Sequence, residues 1–226
     1  MPESDALASS PAPALSALDD AVPAASPVRK RPKPGERRVQ ILQALAAMLE
    51  QPGAERVTTA ALAARLDVSE AALYRHFASK AQMFEGLIEF IEQAVFSLVN
   101  QILARHAADA ATPHADAGLR QAGQVAAMLL QFAEKNPGMT RVMVGDALVF
   151  ENERLQQRMN LFFDKIEATL RQCLRPADGA TPTVDAQVQA SVLTSFLVGR
   201  LQRFARSGFR RMPSEHLDAS LARLLG

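Results

Sequence analysis

The stretch VSEAALYRHFASK, residues 68–80, gathers Ser69, Glu70, Tyr74, Arg75, His76 and Lys80 within thirteen positions, and Tyr74 is the only tyrosine of the chain. A phenol, a guanidinium, an imidazole and an ammonium around two small alanines are poor material for a core. They are good material for donating hydrogen bonds and positive charge to phosphate oxygens. The chemistry implied is recognition rather than turnover. Glu151 and Glu153 sit in a charged helical start that implies no pocket, and His106, His114 and His216 lack a cysteine or acidic partner at ligand spacing, so no metal site is expected. There is no phosphate loop of the GxxxxGK[ST] type and no glycine-rich dinucleotide turn, and no cofactor is expected. Enzyme activity is not expected either.

Positioning such a cluster requires a helix held from behind. Leu73 and Phe77, four residues apart, give that helix an inward face, and Leu62, Ala63, Leu66 and Val68 supply the complement from the preceding helix and turn. Thr58 or Thr59 caps the first of these helices and Ser69 the second. Only about three residues separate them, a helix-turn-helix spacing in which the second helix offers its outer face to a DNA major groove. The turn needs a left-handed residue. Glycine is commonest there, and Asp67 is among the next best choices. Outward lie Glu70, Ala71, Tyr74 and Arg75, with Ala71 and Ala72 small enough to let the helix approach the bases. The start of the first helix aims backbone N–H groups at a phosphate beside Thr58 and Thr59.

The remainder reads as helix throughout. The 226 residues are 48% hydrophobic, with 5% aromatic, and show no strand alternation and no repeat. Seven of the 13 prolines fall in residues 1–34, so residues 1–35 are expected to be a disordered arm. Its end is basic: residues 29–38 hold six basic residues against Glu36, which reads equally well as a polyanion contact or as a solvated linker. Helices are expected over about 36–51, 58–66, 69–77, 80–105, 116–136, 138–144, 146–174, 184–207 and 214–225. Pro52-Gly53, Thr112-Pro113 and Asp178-Gly179 mark breaks. The all-α division is then the arm, a helix-turn-helix domain at 36–80 and a helical domain at 81–226. One cysteine, Cys173, excludes an internal disulfide and suits a reducing compartment; no run is long enough to span a bilayer, and a cytoplasmic protein is expected.

The run Leu73-Tyr-Arg-His-Phe-x-Ser-Lys80 resembles the TetR family of bacterial regulators, and the likeness covers residues 36–100 as DNA-binding domain and connecting helix. RVTTAALAARLDVSEAALYRHFASKAQMFEGLIEFIE and NPGMTRVMVGDALVFENERLQQRMN are similar to the family's nucleoid occlusion branch, from about Glu36 through Pro213. That resemblance implies a homodimer, with one or several dimers on a palindromic DNA site, acting on FtsZ polymers to block division over the nucleoid. It implies DNA contacts from Thr58, Thr59, Ser69, Glu70, Ala71, Ala72, Tyr74, Arg75, His76 and Lys80. By position it places an FtsZ-tail groove between the fourth and fifth helices, at Phe90, Met128, Gln131, Lys135 and Asn136. FtsZ tails in that branch are acidic with apolar anchors, which suits a lysine beside a methionine. Some relatives carry a basic residue where this chain has Leu98.

The periodicity assigns Phe84, Leu87, Ile88, Ile91, Val95, Leu98 and Ile102 to one core stripe, with Phe90 at its edge and Phe96 nearly opposite its centre. On the eighth helix Val188, Val192, Phe196, Leu197, Leu201 and Phe204 recur, with Gly199 permitting close approach. The expected dimer contacts are Val192, Phe196, Gly199, Leu201 and Phe204, on a helix that also serves the protomer's own core. Two other classes remain open. One is a ligand-responsive TetR-type transcriptional repressor with an apolar pocket in the larger domain. The other is a DNA-independent adaptor for FtsZ.

Overall fold

The computed structural model describes residues 35–51, 57–107, 114–175 and 184–225. The expectations for the arm before Gly35, and for the breaks at Pro52-Gly53, 108–113 and 176–183, lie outside the described residues. Those described are helical with no strand among them: α1 (Glu36–Leu49), α2 (Thr59–Arg65), α3 (Glu70–Tyr74), α4 (Lys80–Ala107), α5 (His114–Lys135), α6 (Pro137–Met143), α7 (Glu153–Cys173), α8 (Val184–Arg206) and α9 (Leu217–Leu225). A 3-10 turn, Asp146–Leu148, separates α6 from α7. The expected seventh helix therefore starts seven residues late. Gly145 enters the turn at φ 84°, and the α-helix restarts only where the Asn152 side chain accepts the Arg154 amide hydrogen.

One core runs from α1 to α9. Against the expectation from the sequence, one described helix, α4, is long and apolar enough to cross a membrane over Lys80–Arg105, and its apolar stripe is buried in this core. Ile41, Leu45 and Leu49 of α1 join Leu73 and Phe77, then Phe84, Leu87, Ile88, Ile91 and Val95 of α4, and Leu129, Phe162, Ile166 and Leu197 beyond. The α4 stripe continues from Val95 to Val99, four residues on, and not to Leu98, which is 37% exposed. A step of four follows the 3.6-residue turn more closely over this length than the step of three that would include Leu98. Phe96 is not left opposite the core. It meets Phe162 edge-on at 5.7 Å, because α7 packs on that side.

Two further ties join α4 to α7 along their lengths. Arg154 pairs with Glu85, and Arg158 donates to Glu92 at 2.9 Å. Cys173 closes α7 as a buried thiol whose burial pushes its pKa up to about 11, against a smaller lowering by a backbone hydrogen bond. The native thiol is therefore expected to resist iodoacetamide at pH 8 and to react on denaturation, since the thiolate is the nucleophile. Equal labelling rates in both states would contradict the burial. Between the ordinary thiol value of 9.0 and about 11 the folded form holds a proton the unfolded form has lost, so stability falls as pH rises through that window.

Candidate nucleic-acid interface

The helix-turn-helix is built from capping and from four buried side chains. Thr58 takes an extended backbone and its hydroxyl accepts from Ala61 N; Ser69 does the same for Ala72 N. Between them Asp67 adopts φ 53°, the left-handed conformation the turn requires. Leu62, Ala63, Leu73 and Phe77 are buried. α3 itself ends at Tyr74, with Phe77 reached through a final turn in which His76 N and Phe77 N both donate to Leu73 O.

With Leu73 and Phe77 pinned inside, the opposite side of α3 is open. Ser69, Glu70, Ala71, Arg75 and His76 are exposed, Ala72 is half-buried, and Tyr74 is 45% exposed despite its size. Thr58 is exposed and Thr59 half-buried at the start of α2. Thr59 Oγ1 donates to Glu70 Oε2 at 2.6 Å, tying the first turn of α2 to the first turn of α3. That bond occupies the Glu70 carboxylate and spaces the two helix starts.

Arg38 is a residue the sequence reading passed over as one more charge in the basic block. Its Nη1 donates to His76 O at 3.1 Å, and its guanidinium lies 4.2 Å from the Phe77 ring centroid. It clamps the end of α3 onto α1. A basic residue in the first turn of α1 was the available signal, but its partner is 38 positions away.

Lys80 departs most from expectation. Its ammonium pairs with Glu151, whose side chain is 10% exposed against 33% for the lysine. It also lies 5.7 Å from the Phe84 ring centroid. Lys80 is thus an ion-paired cation at the start of α4, and a phosphate must compete with Glu151 for it. Glu151→Gln is expected to release the ammonium, raise duplex affinity by about threefold and steepen the salt dependence by about one unit. Fluorescence anisotropy over a salt series checks this; an unchanged slope would mean that Lys80 stays on the protein.

The second set of residues is only partly assembled. Phe90 and Met128 are half-buried against the core, Gln131 and Lys135 are exposed, and the Asn136 amide donates to Phe132 O at 2.7 Å, closing the end of α5. Asn136 is therefore engaged within the fold. On α8 the expected dimer set divides. Val192 is exposed, Phe196 and Gly199 are half-exposed, and a methyl group added at Gly199 would meet nothing within 4 Å. Leu201 and Phe204 are buried in the protomer's own core and are removed from the outer face. Val184 and Val188 are exposed on the same side as Val192, and Leu161 of α7 is also exposed.

Comparison with known proteins agrees with this architecture. Residues 41–87 match the model described as bacterial regulatory proteins of the tetR family. Residues 118–225 match an SlmA-like model described as tetracyclin repressor-like, C-terminal domain. The nucleoid occlusion factor SlmA of Idiomarina loihiensis is 48% identical over 186 residues, covering 81% of this chain and 90% of that protein. SlmA of Vibrio cholerae is 48% identical over 186 residues, covering 80% and 90%. Among solved structures, the fatty acid degradation regulator FadR from Bacillus halodurans superposes with a TM-score of 0.66 at 15% identity, covering 85% of this chain and 96% of its own, a likeness of fold. The chain belongs to the TetR family of bacterial regulators, in the branch of the nucleoid occlusion factor SlmA.

Proposed function

We propose that this protein is a nucleoid occlusion factor: a homodimer that binds palindromic chromosomal sites and, on DNA, inhibits or disassembles FtsZ polymers. The observation that carries this reading is the 48% identity spread over four-fifths of the chain, 81%, with an α3 face left open by the fold. In this reading residues 36–80 read the duplex. Two α3 helices enter successive major grooves, Thr59, Tyr74 and His76 fix the register on phosphates, and the Ser69–Ala72 edge meets the bases. Residues 81–226 pair two protomers through the Val184–Val192 side of α8 and receive FtsZ tails along α4 and α5, where Gln131 and Lys135 flank the half-buried Phe90 and Met128. Several dimers gathered on one site then present a multivalent surface to polymers. The protein is accordingly cytoplasmic and nucleoid-associated.

The test is purified FtsZ assembly, followed by sedimentation with the protein alone and with a palindromic duplex. Polymer mass is expected to fall when the duplex is present. Release of the duplex by an apolar small molecule, with FtsZ unaffected, would favour the ligand-responsive repressor. An effect on FtsZ with no duplex affinity would favour the adaptor.

A further inference from the structure

Residues 200–214 carry Arg200, Arg203, Arg206, Arg210 and Arg211 and no acid, a fifth of the chain's 25 basic residues in a protein of net charge +1. Arg203 and Arg206 have a local explanation, since cations in the last turn of α8 oppose the helix dipole. Beyond the helix, Arg210 Nε donates to Ser207 O at 3.0 Å, which holds one edge of its guanidinium against the end of α8, and Arg211 makes no side-chain hydrogen bond among the described residues. Among the described residues no carboxylate pairs with Arg203, Arg206, Arg210 or Arg211. On the neighbouring α6, Arg141 has its Nε buried without a hydrogen-bond partner.

The turn that presents these arginines is rigidly made. Gly208 N donates to Ala205 O and Phe209 N to Phe204 O, with Gly208 at φ 62°, the bonding of a Schellman motif. Phe209 follows at φ 63°, a left-handed backbone that a bulky residue adopts at a cost. Its ring is held edge-on against Phe204 at 5.2 Å and lies 5.2 Å from the Arg141 guanidinium. Ser207 Oγ accepts from Arg210 N at 3.1 Å and Arg211 N at 2.9 Å, and Ser214 N donates to Glu134 Oε1 of α5 at 3.0 Å. The backbone of the turn is hydrogen-bonded to α8 at one end and to α5 at the other, and the exposed Arg210 and Arg211 stand on it beside Met212, which is 46% exposed.

We infer that the turn after α8, with Arg206, Arg210, Arg211 and Met212, is a docking surface for an acidic peptide that carries an apolar side chain. Planar guanidinium forks match carboxylates in pairs, and an uncovered methionine among them offers contact to an apolar residue. A phosphate backbone alone would leave Met212 unused, and none of these residues belongs to the elements that present the α3 face. The turn meets α5 at Glu134, beside Lys135, so the test below separates this surface from the α4–α5 groove.

The probe is a short fluorescein-labelled peptide of aspartate, glutamate and glycine with one central leucine, bound to the full-length protein and read by anisotropy. The double variant Arg210→Glu, Arg211→Glu is expected to lose about tenfold or more in peptide affinity, while Arg210→Lys, Arg211→Lys keeps a larger share of it. Met212→Ala is expected to lose about threefold, and a leucine-free peptide should bind both proteins equally. Because these side chains are exposed, the melting temperature and the affinity for a palindromic duplex should stay as in the parent protein. Peptide affinity unmoved by the arginine reversal overturns the proposal. So does a reversal that weakens inorganic polyphosphate but not the peptide. A loss with Lys135→Ala equal to that of the reversal would place the peptide in the α4–α5 groove and also overturn it. The FtsZ assay with parent protein stands or falls separately.

Discussion

Gly138→Ala is expected to lower the melting temperature by about 6–12 °C, from an overpacking cost of about 3 kcal/mol and a shift of about 2–4 °C per kcal/mol in a chain of this size. A Cβ on Gly138 would stand 1.9 Å from Ala46 O and 2.8 Å from Ala46 C. Both are backbone atoms of α1, so no rotamer change relieves the clash and the two helices must separate. α1 is not a peripheral helix. Its Ile41, Leu42, Leu45, Ala46 and Leu49 are buried in the shared core, and its Arg38 holds the end of α3. Moving α1 therefore unseats the platform under the reading helix, and affinity for a palindromic duplex should fall together with stability. Differential scanning calorimetry and anisotropy on the same preparation check both. A melting temperature within about 2 °C of the parent's would mean that α1 and α6 yield to the added methyl group at little cost. Gly118 offers a second instance, since its Cβ would lie 2.1 Å from Cys173 O at the end of α7.

What was readable in the sequence is what depends on near neighbours. Thr58 and Ser69 are capping residues whose partners sit three positions away, at Ala61 and Ala72. Asp67 follows from the turn length, and the inward pair Leu73 and Phe77 from helical spacing. The failures are of two kinds. Ion pairs between elements have no local trace: Lys80 and Glu151 are 71 positions apart, and Arg154 and Glu85 are 69 apart. The other kind arises where one helix has two apolar faces. In α8, Val192 and Leu201 are nine residues apart, about two and a half turns, so they point in opposite directions. Leu201 accordingly shares the core with Ala190, Leu193 and Leu197, while Val192 lies with Val184 and Val188 on the outer side. An apolar residue count cannot separate these faces; the angular bookkeeping can, and only burial shows which face is inside. The partly buried Phe90 and Met128 fall between the two cases, since an edge residue of a stripe is decided by how closely the next helix approaches.

Ala71→Glu is expected to weaken binding to a palindromic site by about a hundredfold or more, since a like charge forced against a duplex costs several kcal/mol. Ala71 is exposed near the start of α3, on the side opposite the buried Leu73. A methyl group there lets the helix approach the base edges. A glutamate adds bulk in the groove and a second carboxylate beside Glu70, whose own charge is already held by Thr59. Folding should be untouched, because an acidic residue in the first turn suits the helix dipole and the Ser69 cap remains. The comparison with Ala71→Gln separates the two causes. The neutral side chain should lose less affinity and change which base is preferred at the contacted position. The gap between glutamate and glutamine should narrow as salt is raised, as screening shortens the reach of the added charge. Anisotropy with one palindromic and one scrambled duplex reads all three quantities. If Ala71→Glu binds the palindrome within about threefold of the parent protein, a loss far short of the like-charge cost, then α3 is not in the groove and the open face it presents serves another purpose.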